Sequence, residues 1–208
     1  MLDIIVDEYD KYDIRKLWRE AVGEPIVVVI NGVGGSGKDT FVQIIKDKLK
    51  SIDNPSPFAN DKISIVKNIS TIDTVRIAAR FLGCDVYEKD DKCRKFLSEL
   101  KKLSGKYYDT PYQKCRKSIY NGEYKVCFVH CREPEEIQRF VDEFGAITVL
   151  VRRPDIHVPD NASDMGVENY KYDYYVDNDG DYFDLSRKAV KFIQDIGLNE
   201  WRAEAVLD

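Results

Sequence analysis

The run Gly32-Val33-Gly34-Gly35-Ser36-Gly37-Lys38-Asp39-Thr40 has the residue types and spacing to hold a phosphate chain. Its glycines let the backbone coil until successive N–H groups point inward at anionic oxygens, and a helix behind would add its positive N-terminal end. Lys38 would reach the outer phosphates as a mobile point charge. The spacing G-x-x-x-x-G-K is complete, but the place after the lysine, usually Ser or Thr, is Asp39, with the hydroxyl one residue later at Thr40. A hydroxyl there ordinarily ligates Mg²⁺. A carboxylate beside a triphosphate needs a metal ion or an acceptor hydroxyl facing it, and either belongs to a phosphoryl-transfer site. Asp39 and Thr40 are therefore the candidate Mg²⁺ ligands.

The elements that must position this loop are legible on both sides of it. Ile26 to Ile30 is an unbroken apolar run, as a strand buried on both faces requires, and Phe41, Ile44, Ile45 and Leu49 recur at helical spacing behind the loop. Further strands are expected over 63–66, 126–131, 147–151 and 174–176. Helices are expected over 72–82, around Cys93 to Leu103, after Pro111, over Pro134 to Phe144 with Gly145 as its stop, and from Leu185 to Ile196. Strands alternating with helices specify an α/β fold, three layers α/β/α, around a five-stranded, mainly parallel sheet. Ligands on such sheets sit beyond the carboxyl ends of the strands. Chemistry is expected at the glycine loop, at Asn68 to Thr71, at Arg132 and Glu133, at Arg152 and Arg153, and at Asn178 and Asp179.

The chain has 208 residues and a formal net charge of -5, a balance that argues against general binding to nucleic acid or anionic membrane. Its apolar runs are strand-sized and no leader pattern opens it, so the expected location is cytoplasmic. Five cysteines, Cys84, Cys93, Cys115, Cys127 and Cys131, show no C-x-x-C or metal spacing and read as reduced thiols in packing roles. Residues 1–24 suit a helical extension that leaves the oligomeric state open, with a homodimer one possibility. Residues 197–208 form a tail. The tyrosines at 170, 172, 174 and 175 read as packing at the core edge.

The Gly-Lys-Asp-Thr loop ending, the strand ending in Arg132, the strand ending in Arg152-Arg153 and the closing run Asp173 to Gly180 together resemble the deoxynucleoside monophosphate kinases of phages and related P-loop kinases. The resemblance spans roughly 25–196. It implies a P-loop core, an acceptor lobe inserted after the second strand, here 70–122, and a short lid after the fourth, here 152–172. It implies ATP and Mg²⁺ as cofactors and a small phosphate-bearing acceptor, with a (deoxy)nucleoside monophosphate as the leading choice. Animal phosphomevalonate kinases share the Gly-Lys-Asp ending, so the resemblance leaves the acceptor open.

By position, the resemblance makes Arg152 and Arg153 candidates for contacting the transferring phosphoryl, and Arg132 and Arg76 candidates for the acceptor's phosphate. It places Asn178 as a possible neighbour of the adenine. Each arginine also has a plainer reading as a solvated end-cap or surface ion pair. One departure stands out. The family usually carries an aspartate just before the position of Arg132, and here His130 lies near that place; Asp39 or Glu133 would have to supply the carboxylate. Asp160, Ser163 and Asp164 read first as loop and cap residues, and His157 carries no signal. Tyr107, Tyr108, Tyr112 and Gln113 offer aromatic and amide groups for a base in the acceptor lobe.

Overall fold

The computed structural model describes residues 23–50, 66–88, 90–122, 124–154 and 166–198. Five strands, β1 (Ile26–Asn31), β2 (Val66–Ser70), β3 (Val126–His130), β4 (Ile147–Arg152) and β5 (Tyr174–Asp177), form one sheet in the order β2-β3-β1-β4-β5. Every neighbouring pair is parallel. Among the described residues six α-helices accompany them: α1 (Lys38–Lys50), α2 (Asp73–Phe81), α3 (Asp91–Tyr108), α4 (Thr110–Tyr120), α5 (Pro134–Phe144) and α6 (Tyr182–Asp195).

Alternation along the strands builds two cores. Val28 and Ile30 of β1 join Phe128, Val149 and Val151 beneath Phe41, Ile45, Leu185 and Phe192, so α1 and α6 cover one face. Val27 and Val29 join Cys127, Val129 and Leu150 beneath Tyr112, Ile119, Ile137 and Phe140, so α4 and α5 cover the other. Both faces of β1 are dry, which is why its sequence is an apolar run instead of an alternating one. The result is a three-layer α/β/α fold of the P-loop type. Of the three helices that link β2 to β3, α4 belongs to the layer itself.

Several boundaries differ from the sequence expectation: α3 runs on to Tyr108, five residues past Leu103, and β3 ends at His130, leaving Cys131 outside it. The second strand was expected over 63–66, but β2 is Val66–Ser70, so Asn68 to Ser70 lie within the strand and not after it; 63–65 fall outside the described residues. As an edge strand with Lys67 and Asn68 exposed, β2 needs no apolar run. The last helix begins at Tyr182, three residues before the first apolar marker, because Asp181 and Asp184 form a reciprocal capping box there. The helical extension 1–24, but for its last two residues, most of the tail, and Asp160, Ser163, Asp164 and His157 of the lid segment lie outside the described residues.

No described helix is long and apolar enough to cross a membrane.

Candidate active site

Because the strands run in parallel register, Asn31, Ser70, His130, Arg152 and Asp177 end at the same edge of the sheet. The glycine loop turns there from β1 into α1. Gly32 and Gly37 have φ of 152° and 95°, in the region that favours glycine. A Cβ on Gly32 would stand 2.5 Å from both Ser36 Oγ and the Val151 carbonyl oxygen, and one on Gly37 would stand 2.3 Å from Asn178 Nδ2. The loop therefore has no room for side chains at those places. Gly34 and Gly35 are exposed, and Val33 is half-buried.

Two amides that hold the loop come from outside it. Asn31, 1 % exposed, accepts the Gly32 N–H through Oδ1 at 2.8 Å and donates through Nδ2 to Tyr172 Oη at 2.7 Å. Tyr172 in turn donates to the Val167 carbonyl at 2.7 Å. Asn178 donates to the Ser36 carbonyl at 2.9 Å, and its own N–H is held by the Arg152 carbonyl at 2.7 Å. Asn178 therefore braces the glycine loop. Asn31 was not singled out from sequence; the signal available was one polar residue closing an apolar strand.

Ser36 Oγ is fully buried and, among the described residues, is the one buried side-chain oxygen or nitrogen without a hydrogen-bond partner. Such an atom ordinarily costs about 1–3 kcal/mol. It is packed within the loop against Gly32. Lys38 opens α1 and folds back so that Nζ lies 3.4 Å from the Val33 carbonyl, over the loop that it would serve.

The loop meets β3 and α2 at His130. Its Nε2 is 2.7 Å from Asn68 Oδ1, and its Nδ1 is 3.7 Å from an oxygen of Asp39. Lys38, Asp39, Asp73 and Arg76 all act on the ring, and burial, the largest influence, lowers its pKa from 6.5. The His130 carbonyl accepts from the Thr71 N–H at 3.2 Å, and Asp73 accepts the Ser70 N–H at 2.8 Å, so the start of α2 is pinned to the end of β3. The structure thus brings together Lys38, Asp39, His130, Asp73 and Arg76. The Asp39 side chain is 82 % exposed, and Thr40 is exposed beside it. Asp39, Thr40 and Asp73 offer the oxygen donors that suit Mg²⁺, whereas the imidazole does not.

The arginines are placed unequally. Arg132 stands two residues past the end of β3, half-buried, its carbonyl 3.4 Å from Asn31 Nδ2. Arg76 is exposed and lies 3.7 Å from Asp73. Arg152 donates through Nε to Asp177 at 2.8 Å and lies 5.0 Å from the centre of the Tyr175 ring, which directs it along β5. Arg153 is exposed at the last described turn before 155. Tyr112 is buried beneath Arg139 and serves the packing of α4, whereas Gln113 is exposed and donates to Asp109, and Tyr107 and Tyr108 are exposed.

Beside Arg132 lies a cluster absent from the sequence reading. Lys101 of α3 reaches Glu133 and also Glu136, the latter at 2.8 Å, and Cys131 lies 3.3 Å from Glu136. Cys131, Glu133 and Glu136 are close enough together to suggest a cation site, but the Lys101 ammonium already stands there, paired with both carboxylates. Two open depressions of about 490 and 470 Å³ lie instead along α4. The first is lined by Lys67, Lys114, Lys117 and the Asn121–Gly122 turn that leads into β3, toward the edge of the sheet opposite the glycine loop.

No family model matches the chain, and no curated protein matches it. Among solved structures it is similar to TT1252 from Thermus thermophilus, with 18% identity and a TM-score of 0.44 over 83% of this chain and 98% of that one. It is also similar to a "putative kinase" from Chloroflexus aurantiacus J-10-fl, with 10% identity and a TM-score of 0.42 over 82% of this chain and 97% of that one. Likenesses at this level carry no activity from one chain to another.

Proposed function

We propose that the chain is an ATP- and Mg²⁺-dependent kinase that transfers the γ-phosphoryl group to a small phosphate-bearing acceptor, with a (deoxy)nucleoside monophosphate as the leading acceptor. The observation that carries this reading is the glycine loop. It stands at the carboxyl edge of a parallel sheet, closed to side chains at Gly32 and Gly37, with a buried, unpartnered Ser36 hydroxyl inside and Lys38 folded over it. Gly32 to Gly37 would cradle the phosphates with backbone N–H groups, and Asp39 and Thr40 would hold Mg²⁺, which when bound offsets phosphate charge.

Phosphoryl transfer depends on positioning and on charge placed where it develops. Lys38 supplies a positive charge at the loop, and Arg76 and Arg132 at the ends of neighbouring elements would orient an anionic acceptor. Arg153 faces solvent and is free to turn toward the transferring group, whereas Arg152 would first have to leave Asp177. No covalent intermediate on the protein is required.

His130 beside Asp39 supports a second reading, a nucleotide-binding regulator without transfer, because no carboxylate ends β3. ADP release from Mg-ATP, measured across the ribo- and deoxyribonucleoside monophosphates and phosphomevalonate with Lys38→Ala as control, separates the two. Turnover with one acceptor, lost in Lys38→Ala, supports the kinase. ATP binding without turnover on any acceptor favours the regulator, and no ATP binding removes both readings.

A further inference from the structure

Two of the five cysteines meet in space. Cys84 Sγ lies 3.0 Å from Cys93 Sγ, closer than the about 3.5–4.0 Å at which nonbonded heavy atoms usually rest. Two helix ends fix this approach. Cys84 follows Gly83, whose φ of 84° ends α2, and its N–H is held by the Ala79 carbonyl at 3.0 Å. Cys93 stands in the first turn of α3, its N–H held by the N-cap carboxylate of Asp90 at 2.7 Å. The turn between them is ordered by Asp85, which accepts from the Tyr87 N–H at 3.0 Å through its side chain and from the Glu88 N–H at 3.2 Å through its carbonyl. The other three thiols are buried in the second core, and burial pushes Cys115 and Cys127 up to about 12.

We propose that Cys84 and Cys93 are a disulfide-forming site, closed reversibly by a low-molecular-weight disulfide such as that of glutathione. Cys84, the partly exposed member, gives up its proton and attacks one sulfur of the small disulfide. The small S–S bond breaks, one thiolate leaves and takes up a proton, and a mixed disulfide remains on Cys84. Cys93, the buried member, then attacks the Cys84 sulfur and expels the second small thiol. The two protein thiols lose two electrons and two protons, and the small disulfide gains them. The bond needs an approach of about 1 Å from the observed separation, since a disulfide spans about 2.05 Å. It would staple the end of α2, the helix that presents Asp73 and Arg76, to the start of α3, the helix that presents Lys101. The chemistry stands independently of the kinase reading.

The test treats the full chain with oxidised glutathione near neutral pH and follows intact mass, free thiols and tryptic fragments. The expected product has lost about 2 Da and two of its five thiols, joins fragments 81–89 and 93–94, and reverts with reductant. Cys93→Ser protein should stop at the glutathione mixed disulfide on Cys84, and Cys84→Ser protein should keep its remaining thiols. Five free thiols in treated wild type would overturn the proposal. So would a bond to Cys115, Cys127 or Cys131, or a mixed disulfide that persists on Cys84 while Cys93 is present.

Discussion

His130, the last residue of β3, holds its Nδ1 3.7 Å from the carboxylate of Asp39, the second residue of α1. With Asn68 Oδ1 2.7 Å from Nε2, the neutral ring carries its proton on Nε2 and turns an unprotonated Nδ1 toward Asp39. Protonation would relieve that opposition, and burial opposes protonation.

Burial wins this contest, because the His130 pKa lies below 6.5, with Asp39 and Asp73 pulling it up and Lys38 and Arg76 pushing it down. A folded-state value below the unfolded one means that the neutral ring favours folding. This contribution is full above 6.5 and is lost as pH falls through the folded-state value. Proton NMR of the ring in metal-free protein, assigned with His157→Gln, should give a midpoint below 6.5. Asp39→Asn should lower it further. A midpoint that rises in Asp39→Asn contradicts this account.

Asn31 joins the start of the glycine loop to Tyr172 and, through Tyr172, to Val167. Asn31→Ala removes an acceptor from the Gly32 N–H and a donor from the tyrosine, and should cost about 1–3 kcal/mol in urea unfolding. Tyr172→Phe leaves Asn31 Nδ2 with the 3.4 Å contact to the Arg132 carbonyl. The two changes share one hydrogen bond, so together they should cost less than their sum by about 0.5–1 kcal/mol or more. Strict additivity would mean that this bond contributes nothing.

Gly37→Ala tests the fit between the loop and β5. The new methyl would meet Asn178 Nδ2 at 2.3 Å on a backbone whose φ is 95°. Asn178→Ala removes the clash and leaves the backbone strain, on the order of 1–2 kcal/mol. Gly37→Ala should therefore destabilise the wild type more than it destabilises Asn178→Ala protein. Equal costs in the two backgrounds would assign the whole penalty to φ.

Much of this architecture was legible because the buried strands β1, β3 and β4 are apolar runs and most helices keep their apolar spacing. β2 escaped because an edge strand with exposed Lys67 and Asn68 has no such run. Within the site, the glycine loop is contiguous and so could be read directly. Asn31 with Tyr172, His130 with Asp39, and Lys101 with Glu133 are separated by 32 residues or more, and nothing local in the sequence marks these pairings. Cys84 and Cys93 were nearer, yet their spacing gave no signal; two helix caps bring their sulfurs together.

Lys101 is the strongest remaining test of how α3 is fastened to the core. Burial disfavours its charge, but Glu136 and Glu133 outweigh that and raise its pKa, so it stays protonated. Burial also pushes Glu136 above the usual carboxylate range, whereas for Glu133 Lys101 overcomes burial and holds it below. Lys101→Met leaves two carboxylates facing each other with no cation between them. Since Lys101 and Glu136 are only 12% and 19% exposed, the loss should reach about 3 kcal/mol near neutral pH, with half-exposed Glu133 contributing little. A carboxyl whose folded-state pKa is raised stabilises the fold below its unfolded value and ceases to do so as pH rises through the folded one. The deficit of Lys101→Met, measured by urea unfolding, should therefore shrink on acidification as Glu136 takes up a proton. Glu136→Gln in the same background should shrink it at neutral pH. A deficit unchanged by pH and by Glu136→Gln would show that the lysine acts through the packing of its stem and not through its charge.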